Sequence, residues 1–456
     1  MVLPGILGST LARDGQEAWA PSAGVVWRAI RSFGASIQSL TLPADLGDDH
    51  PGDGVEPLAL MPDLHLLPGL WSANIGYSRL LDWLTQRFTL VPPDPKDPAK
   101  PANLLPFPYD WRLSNRYNAR RLSAVVEPAL ERWRALAEAN REARLILICH
   151  SMGGLVARWY VEREGGAALT RKLITIGTPH RGAVAALQQL VNGLEKSVGP
   201  LRLDLTRFAR SLPSAHQLLP QYACLETGAG LAPISAVALP GVNPALVADA
   251  VAFHAALDAA PASAYVLHPI VGTRQPTPTT ARLVGERIET SEQIEGAREG
   301  GDGTVPRLSA APKALNPDDP RLRYAPDQHL GLHSHQAVLD ELEGVLTARP
   351  VIHRGLAGPE IGVRTEPLLL LGEPLVVWAD LAASKPLGLM AELLDEGGRV
   401  VERRKLRVEG TGQGCVFQPP RAGAWQVRVG AARGSEGAMT TPVSAVSLVC
   451  PLEEGP

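Results

Sequence analysis

The sequence predicts an α/β fold with a mostly parallel sheet, followed by a small antiparallel β-sandwich. Three observations point there. From Met1 to about Arg349, short apolar or β-branched runs alternate with segments of helical period, the pattern of strands joined by crossover helices. Leu145–Cys149 (LILIC) is apolar throughout, as a strand covered on both faces must be. Past Arg349 the texture changes to short strand-like runs at regular spacing, which reads as a separate sandwich of about a hundred residues. The expected division is therefore 1–349 and 350–456.

Taken in order, the clearest unit is the middle one. Glu127 to Arg144 carries Leu130, Trp133 and Leu136 at helical spacing, the strand LILIC follows, and Leu155 to Glu162 resumes a helix. Leu173–Ile176 and Tyr265–Gly272 read as further central strands, with a closing helix over Gln336–Leu346. Two gaps, Ala12–Ala73 and Ser197–Ala260, are each about sixty residues, apolar but weakly periodic. Such gaps in a compact unit read as insertions over a site, here a lid (about 12–73) and a cap (about 197–260). In the last hundred residues, strands are expected over Leu375–Ala382, Gly388–Leu394, Arg399–Val408 and Ala424–Val429, with a turn at Glu396-Gly397-Gly398.

The chain has 456 residues and a formal net charge of −3, so no basic surplus exists to neutralise a phosphate backbone and nucleic acid is not an expected partner. Arg greatly outnumbers Lys, which reads as compositional bias and not as anion recognition. No apolar run is long enough to span a bilayer, and Met1–Leu11 lacks the features of a secretory leader. The four cysteines, Cys149, Cys224, Cys415 and Cys450, are widely spaced, which fits a reducing compartment, so a cytoplasmic location is expected; Cys415 and Cys450 are the one pair close enough in strand-like sequence to leave a bridge open.

The chemistry begins directly after LILIC, in CHSMGG (Cys149–Gly154). A serine at the tip of a strand-to-helix turn, flanked by small residues, is lifted out of the sheet, and the amide of the next residue faces whatever it attacks. Ser151 is the candidate nucleophile, with Cys149 standing where a glycine is usual. Such a serine needs a carboxylate and a histidine, later in sequence and in that order. Asp302 lies in GDGTVP (Gly301–Pro306), after the strand YVLHPIVG and an insertion. Three histidines follow in DQHLGLHSHQAVLDEL: His335 reads as a surface residue or a cap of the closing helix, and His329 is favoured as the base with His333 as the alternative. The second oxyanion amide is expected from PGILGS (Pro4–Ser9), giving the Ile6 and Met152 amides as candidates. No histidine or cysteine cluster has metal-ligand spacing and no phosphate-binding loop is present, so no cofactor is expected.

Four blocks, PGILGSTL at Pro4, PYDWR at Pro108–Arg112, HSMGG at His150 and GDGTVP at Gly301, with GTPHRGA at Gly177–Ala183, together resemble the lecithin:cholesterol acyltransferase family, which includes lysosomal phospholipase A2. The likeness covers about Met1–Leu346. It implies an α/β-hydrolase fold with cap and lid, a triad of Ser151, Asp302 and His329, and oxyanion donors at Ile6 and Met152. It also implies a serine esterase or acyltransferase acting on a lipid or other apolar ester, with contact to a lipid surface left open. The alternatives are a non-catalytic scaffold on the same fold and an amidase. The segment between Asp45 and Trp71 lacks the cysteine pair of secreted members, so their location and sterol acceptor do not carry over. Leu58–Trp71 reads either as a lipid-touching lid or as a cover over an ordinary ester pocket, and Asp110 and Arg112 read as structural.

Overall fold

The computed structural model describes residues 1–20, 35–62, 76–198, 201–260, 265–315, 319–347, 360–382, 387–396, 398–409, 412–432 and 442–450. Its centre is a five-stranded, all-parallel sheet in which chain order and spatial order coincide: β1 (Val2–Leu3), β2 (Leu145–His150), β3 (Thr170–Ile176), β4 (Val266–Gly272) and β5 (Arg323–Ala325). Ile148 faces Val2 on one side and Ile174 on the other, and Ile174 faces His268. This register brings the C-terminal ends of β2, β3 and β4 to one edge. Leu147, Cys149, Leu173, Ile174 and Ile176 are fully buried, which explains the unbroken apolar runs.

The crossover helix α1 spans Asn115–Ala135, not the expected 127–144, and is followed by a short 3-10 turn at Glu138–Asn140. The side chain of Ser114 caps it by accepting from the Arg116 amide. Its buried stripe includes the polar Asn115 and Asn118, which hides the first half from a search for apolar spacing, and Pro128, which suggests a helix start, lies in its interior. The other helices used below are α2 (Gly153–Arg163), α3 (Val184–Asn192), α4 (Pro244–Asp258) and α5 (Gln336–Thr347).

The first inserted segment contains a three-stranded antiparallel sheet, Ser9–Arg13, Gln16–Trp19 and Val55–Leu60. Most of Leu58–Trp71 lies outside the described residues. The second contains the hairpin Glu195–Val198/Leu201–Asp204, short helices at Thr206–Ser211 and Pro213–His216, and α4.

The C-terminal strands form two sheets around a separate core that includes Val377, Phe417 and Trp425. The expected strand Arg399–Val408 is two strands, Val400–Lys405 and Arg407–Glu409, which join different sheets; the break is Leu406, buried, with its amide donating to the Leu389 carbonyl. Leu368–Leu370 pairs with Val443–Cys450 in parallel, the exception in otherwise antiparallel sheets. The turn at 396–398 includes residue 397, which lies outside the described residues. All four cysteines are free thiols, with Cys415 and Cys450 in strands of different sheets. The strand Glu360–Thr365, named β6, borders the site described next.

Candidate active site

β2 ends at His150 and α2 starts at Gly153, leaving Ser151 and Met152 to make the turn. Ser151 sits at φ +51°, a left-handed conformation that costs a non-glycine residue of order 1–3 kcal/mol and persists only where surroundings impose it. They do so through two bonds: its amide donates to the Ile176 carbonyl at 2.9 Å, and the Thr178 hydroxyl donates to its carbonyl at 2.8 Å. Gly153 is required by close approach, because a Cβ there would lie 2.3 Å from the Pro4 carbonyl oxygen. Burial pushes the Cys149 thiol up, so in place of the usual glycine it behaves as a small uncharged filler.

Asp302 lies against the end of β4, where a Cβ on Gly272 would come within 2.4 Å of the Asp302 Cβ. Its Oδ1 accepts from the amides of Thr304 (3.0 Å) and Val305 (2.7 Å), and its Oδ2 lies 2.8 Å from His329 Nδ1. The other ring nitrogen, His329 Nε2, lies 2.8 Å from Ser151 Oγ. The His329 amide donates to the Asp302 carbonyl at 2.7 Å, so main chain as well as side chain fixes the pair. Thus the loop after β5 delivers His329, while His333 turns away, its Nε2 2.6 Å from the Gly76 carbonyl and its ring stacked on Tyr77. His335 accepts from the Ala337 amide at the start of α5, the capping one of its two expected places.

The loop Pro4–Ser9 follows β1 beside the elbow. Neither the Ile6 nor the Met152 amide has an acceptor among the described residues. The Gly5 amide is engaged, donating to Tyr77 Oη at 2.7 Å. PYDWR holds this loop: the Tyr109 hydroxyl donates to the Pro4 carbonyl (2.8 Å) and Trp111 Nε1 to the Ser9 carbonyl (3.1 Å). Arg112, fully buried, pairs with Asp110 at 2.7 Å and Asp53 at 2.8 Å and donates to the Leu40 carbonyl. Asp110 and Arg112 therefore act structurally, tying the first inserted segment to the loop.

Sequence reasoning missed Tyr77 and the part played by His150. His150 Nδ1 is 2.8 Å from Tyr77 Oη, and its Nε2 is 3.0 Å from the His329 carbonyl. Burial, followed by the neighbouring His333 and His329, lowers its pKa well below the ordinary value. Adjacency to the serine was the only signal for His150; nothing in the sequence around Tyr77 marks it.

A cavity of about 290 Å³ opens onto Ser151 and His329. Its walls include Ala183, Ala185, Ala186, Leu218 and Ile6, a small, mainly apolar surround.

Residues 99–233 match the family model described as Lecithin:cholesterol acyltransferase, a segment that contains PYDWR, Ser151 and GTPHRGA. No curated protein sequence matches the chain. Among solved structures, a β-glucuronidase from Ruminococcus gnavus is 15% identical over 20% of this chain and 16% of that one, with a TM-score of 0.15; this chain thus spans about a sixth of it. A Bacillus licheniformis lipase in its propeptide form is 12% identical over 73% of this chain and 83% of that one, with a TM-score of 0.31.

Proposed function

We propose that this chain, a relative of the lecithin:cholesterol acyltransferase family with an α/β-hydrolase fold, is a serine esterase or acyltransferase. The observation that carries the reading is the chain of contacts Ser151 Oγ–His329 Nε2–Asp302 Oδ2, with both distances 2.8 Å. Ser151 Oγ attacks the carbonyl carbon of an apolar ester, and His329 Nε2 takes the hydroxyl proton. Asp302 holds the imidazolium. The oxygen of the tetrahedral intermediate takes up charge facing the Ile6 and Met152 amides. The intermediate collapses, the alcohol leaves with the proton from His329, and an acyl-Ser151 ester remains. Water or a second alcohol, deprotonated by His329, then releases the acyl group.

The reading includes two units, a catalytic unit over 1–349 and an accessory sandwich over 350–456. It also places the chain in the cytoplasm, supported by its four free thiols. No helix among the described residues is long and apolar enough to cross a membrane. A fluorophosphonate probe tests the mechanism: it is expected to label the wild type and not Ser151→Ala. An unlabelled wild type, or equal labelling of both, overturns it.

A further inference from the structure

A second space adjoins the apolar cavity at His329. It is a cleft of about 700 Å³, and it shares Gln188, Gln189, Gly303, Thr304, His329 and Leu330 with the apolar cavity. Its far wall comes from the C-terminal sandwich, through Val363 to Thr365 at the end of β6 and Glu366 just after it. The two spaces therefore meet at His329, and they differ in chemistry.

The apolar cavity, at about 290 Å³, is at the lower end of small-molecule sites and suits a compact acyl group. The walls of the cleft mix neutral hydrogen-bonding side chains with apolar ones, Leu330, Val363 and Val446 among them, and with charged groups. The amides of Gln188 and Gln189 on α3 make no side-chain hydrogen bond among the described residues, and Thr304 and Thr365 line the same cleft. Each amide can donate twice and accept, which matches an alcohol with more than one hydroxyl. The charges discriminate further. Glu366 and Asp302 border the cleft with Arg364, whose guanidinium already pairs with Glu292 and Asp380, each at 3.2 Å. The surplus is negative and opposes a phosphate or carboxylate on the bound alcohol.

We infer that the C-terminal sandwich forms one wall of the alcohol side of the active site, and that the ester turned over joins a compact apolar acyl group to a neutral, hydroxyl-bearing alcohol. This rests on the serine-ester reading above. The sandwich is fixed for such a role: buried Gln275 donates to the Ile361 carbonyl (3.3 Å) and accepts from the Val363 amide (3.4 Å), and Gln328, next to His329, donates to the Val363 carbonyl at 3.1 Å.

The test compares three octanoate esters on the full-length protein: those of glycerol, of ethanol and of glycerol phosphate. The glycerol ester is expected to exceed the ethyl ester about tenfold in kcat/KM, the worth of a hydrogen bond or two, with the phosphate-bearing ester below both. Thr365→Val in the sandwich and Gln188→Leu on α3, each shown to melt like the wild type, are expected to bring the glycerol-to-ethyl ratio towards one. A wild-type ratio near one, preference for the phosphate ester, or a ratio unmoved by both variants overturns the inference. Fluorophosphonate labelling of Ser151 separates the two readings: labelling without alcohol preference sinks this inference alone, and absence of both labelling and turnover sinks it together with the mechanism.

Discussion

The imidazole of His150 is bonded through Nε2 to the main-chain carbonyl of His329, at 3.0 Å. A carbonyl only accepts, so Nε2 carries the proton, and in the neutral ring Nδ1 must accept. It does so from Tyr77, whose hydroxyl oxygen in turn accepts the Gly5 amide. Depression of the His150 pKa by burial keeps the ring neutral and this pattern intact. One side chain beside the nucleophile thus links the loop of the expected oxyanion donor to the backbone of the expected base.

From this linkage, Tyr77→Phe is expected to lower kcat about tenfold with little change in KM, because a misplaced base costs the chemical step more than binding. Steady-state kinetics on a p-nitrophenyl ester, with the rate of fluorophosphonate labelling as a second readout, decide it. A kcat within about twofold of wild type would remove the positioning role.

Asp302→Asn is expected to lower kcat by about three to four orders of magnitude while leaving the fold intact, since an amide in place of the carboxylate disfavours the imidazolium and the required tautomer. Kinetics beside a circular-dichroism melt will show whether activity falls without loss of stability.

Arg112→Met leaves the buried carboxylate of Asp110 without its 2.7 Å partner. The expected loss is about 3–5 kcal/mol, the range for removing one member of a buried pair, read from urea unfolding. A loss below about 1 kcal/mol would show that the pair is dispensable.

Asp327, two residues before His329, has its carboxyl pushed by burial from 3.8 up to about 7, against the pull of hydrogen bonds from the Gln328 and Ser444 backbones. An acid whose pKa is raised on folding contributes its full stability below the unfolded value, and that contribution is lost as pH rises through the folded one. Asp327→Asn is therefore expected to be more stable than wild type at pH 8, by at most about 4 kcal/mol, with the difference shrinking towards pH 4. Thermal melts across that range test it, and a difference that does not vary with pH contradicts it.

The strands of the parallel sheet were legible where burial on both faces makes them uniformly apolar, as in LILIC. Short β5 was not, because three residues, Arg323–Ala325, carry no periodicity, and the first half of α1 was hidden by buried asparagines. That Ser151, Asp302 and His329 come together was expected from the sequence because a nucleophile elbow and its partners need small neighbours or a strand end at a set place in the order. Their supports were not. Tyr77 reaches Gly5 and His150 across 72 and 73 residues, and such pairings follow from three-dimensional packing without local trace. Residues 63–75, holding most of the expected lipid-touching segment, fall outside the described chain.

Gln275 acts as a surrogate rung of the sandwich: its side-chain amide completes hydrogen bonds of β6, while its main-chain amide donates to the Gly301 carbonyl, next to Asp302. A graft that exchanged the final hundred residues for an unrelated module would strand that buried amide and loosen the carboxylate loop together. The boundary between the two halves is thus a poor place to cut and splice. A chimaera with a better chance of working would carry the matching glutamine and its strand as a single cassette.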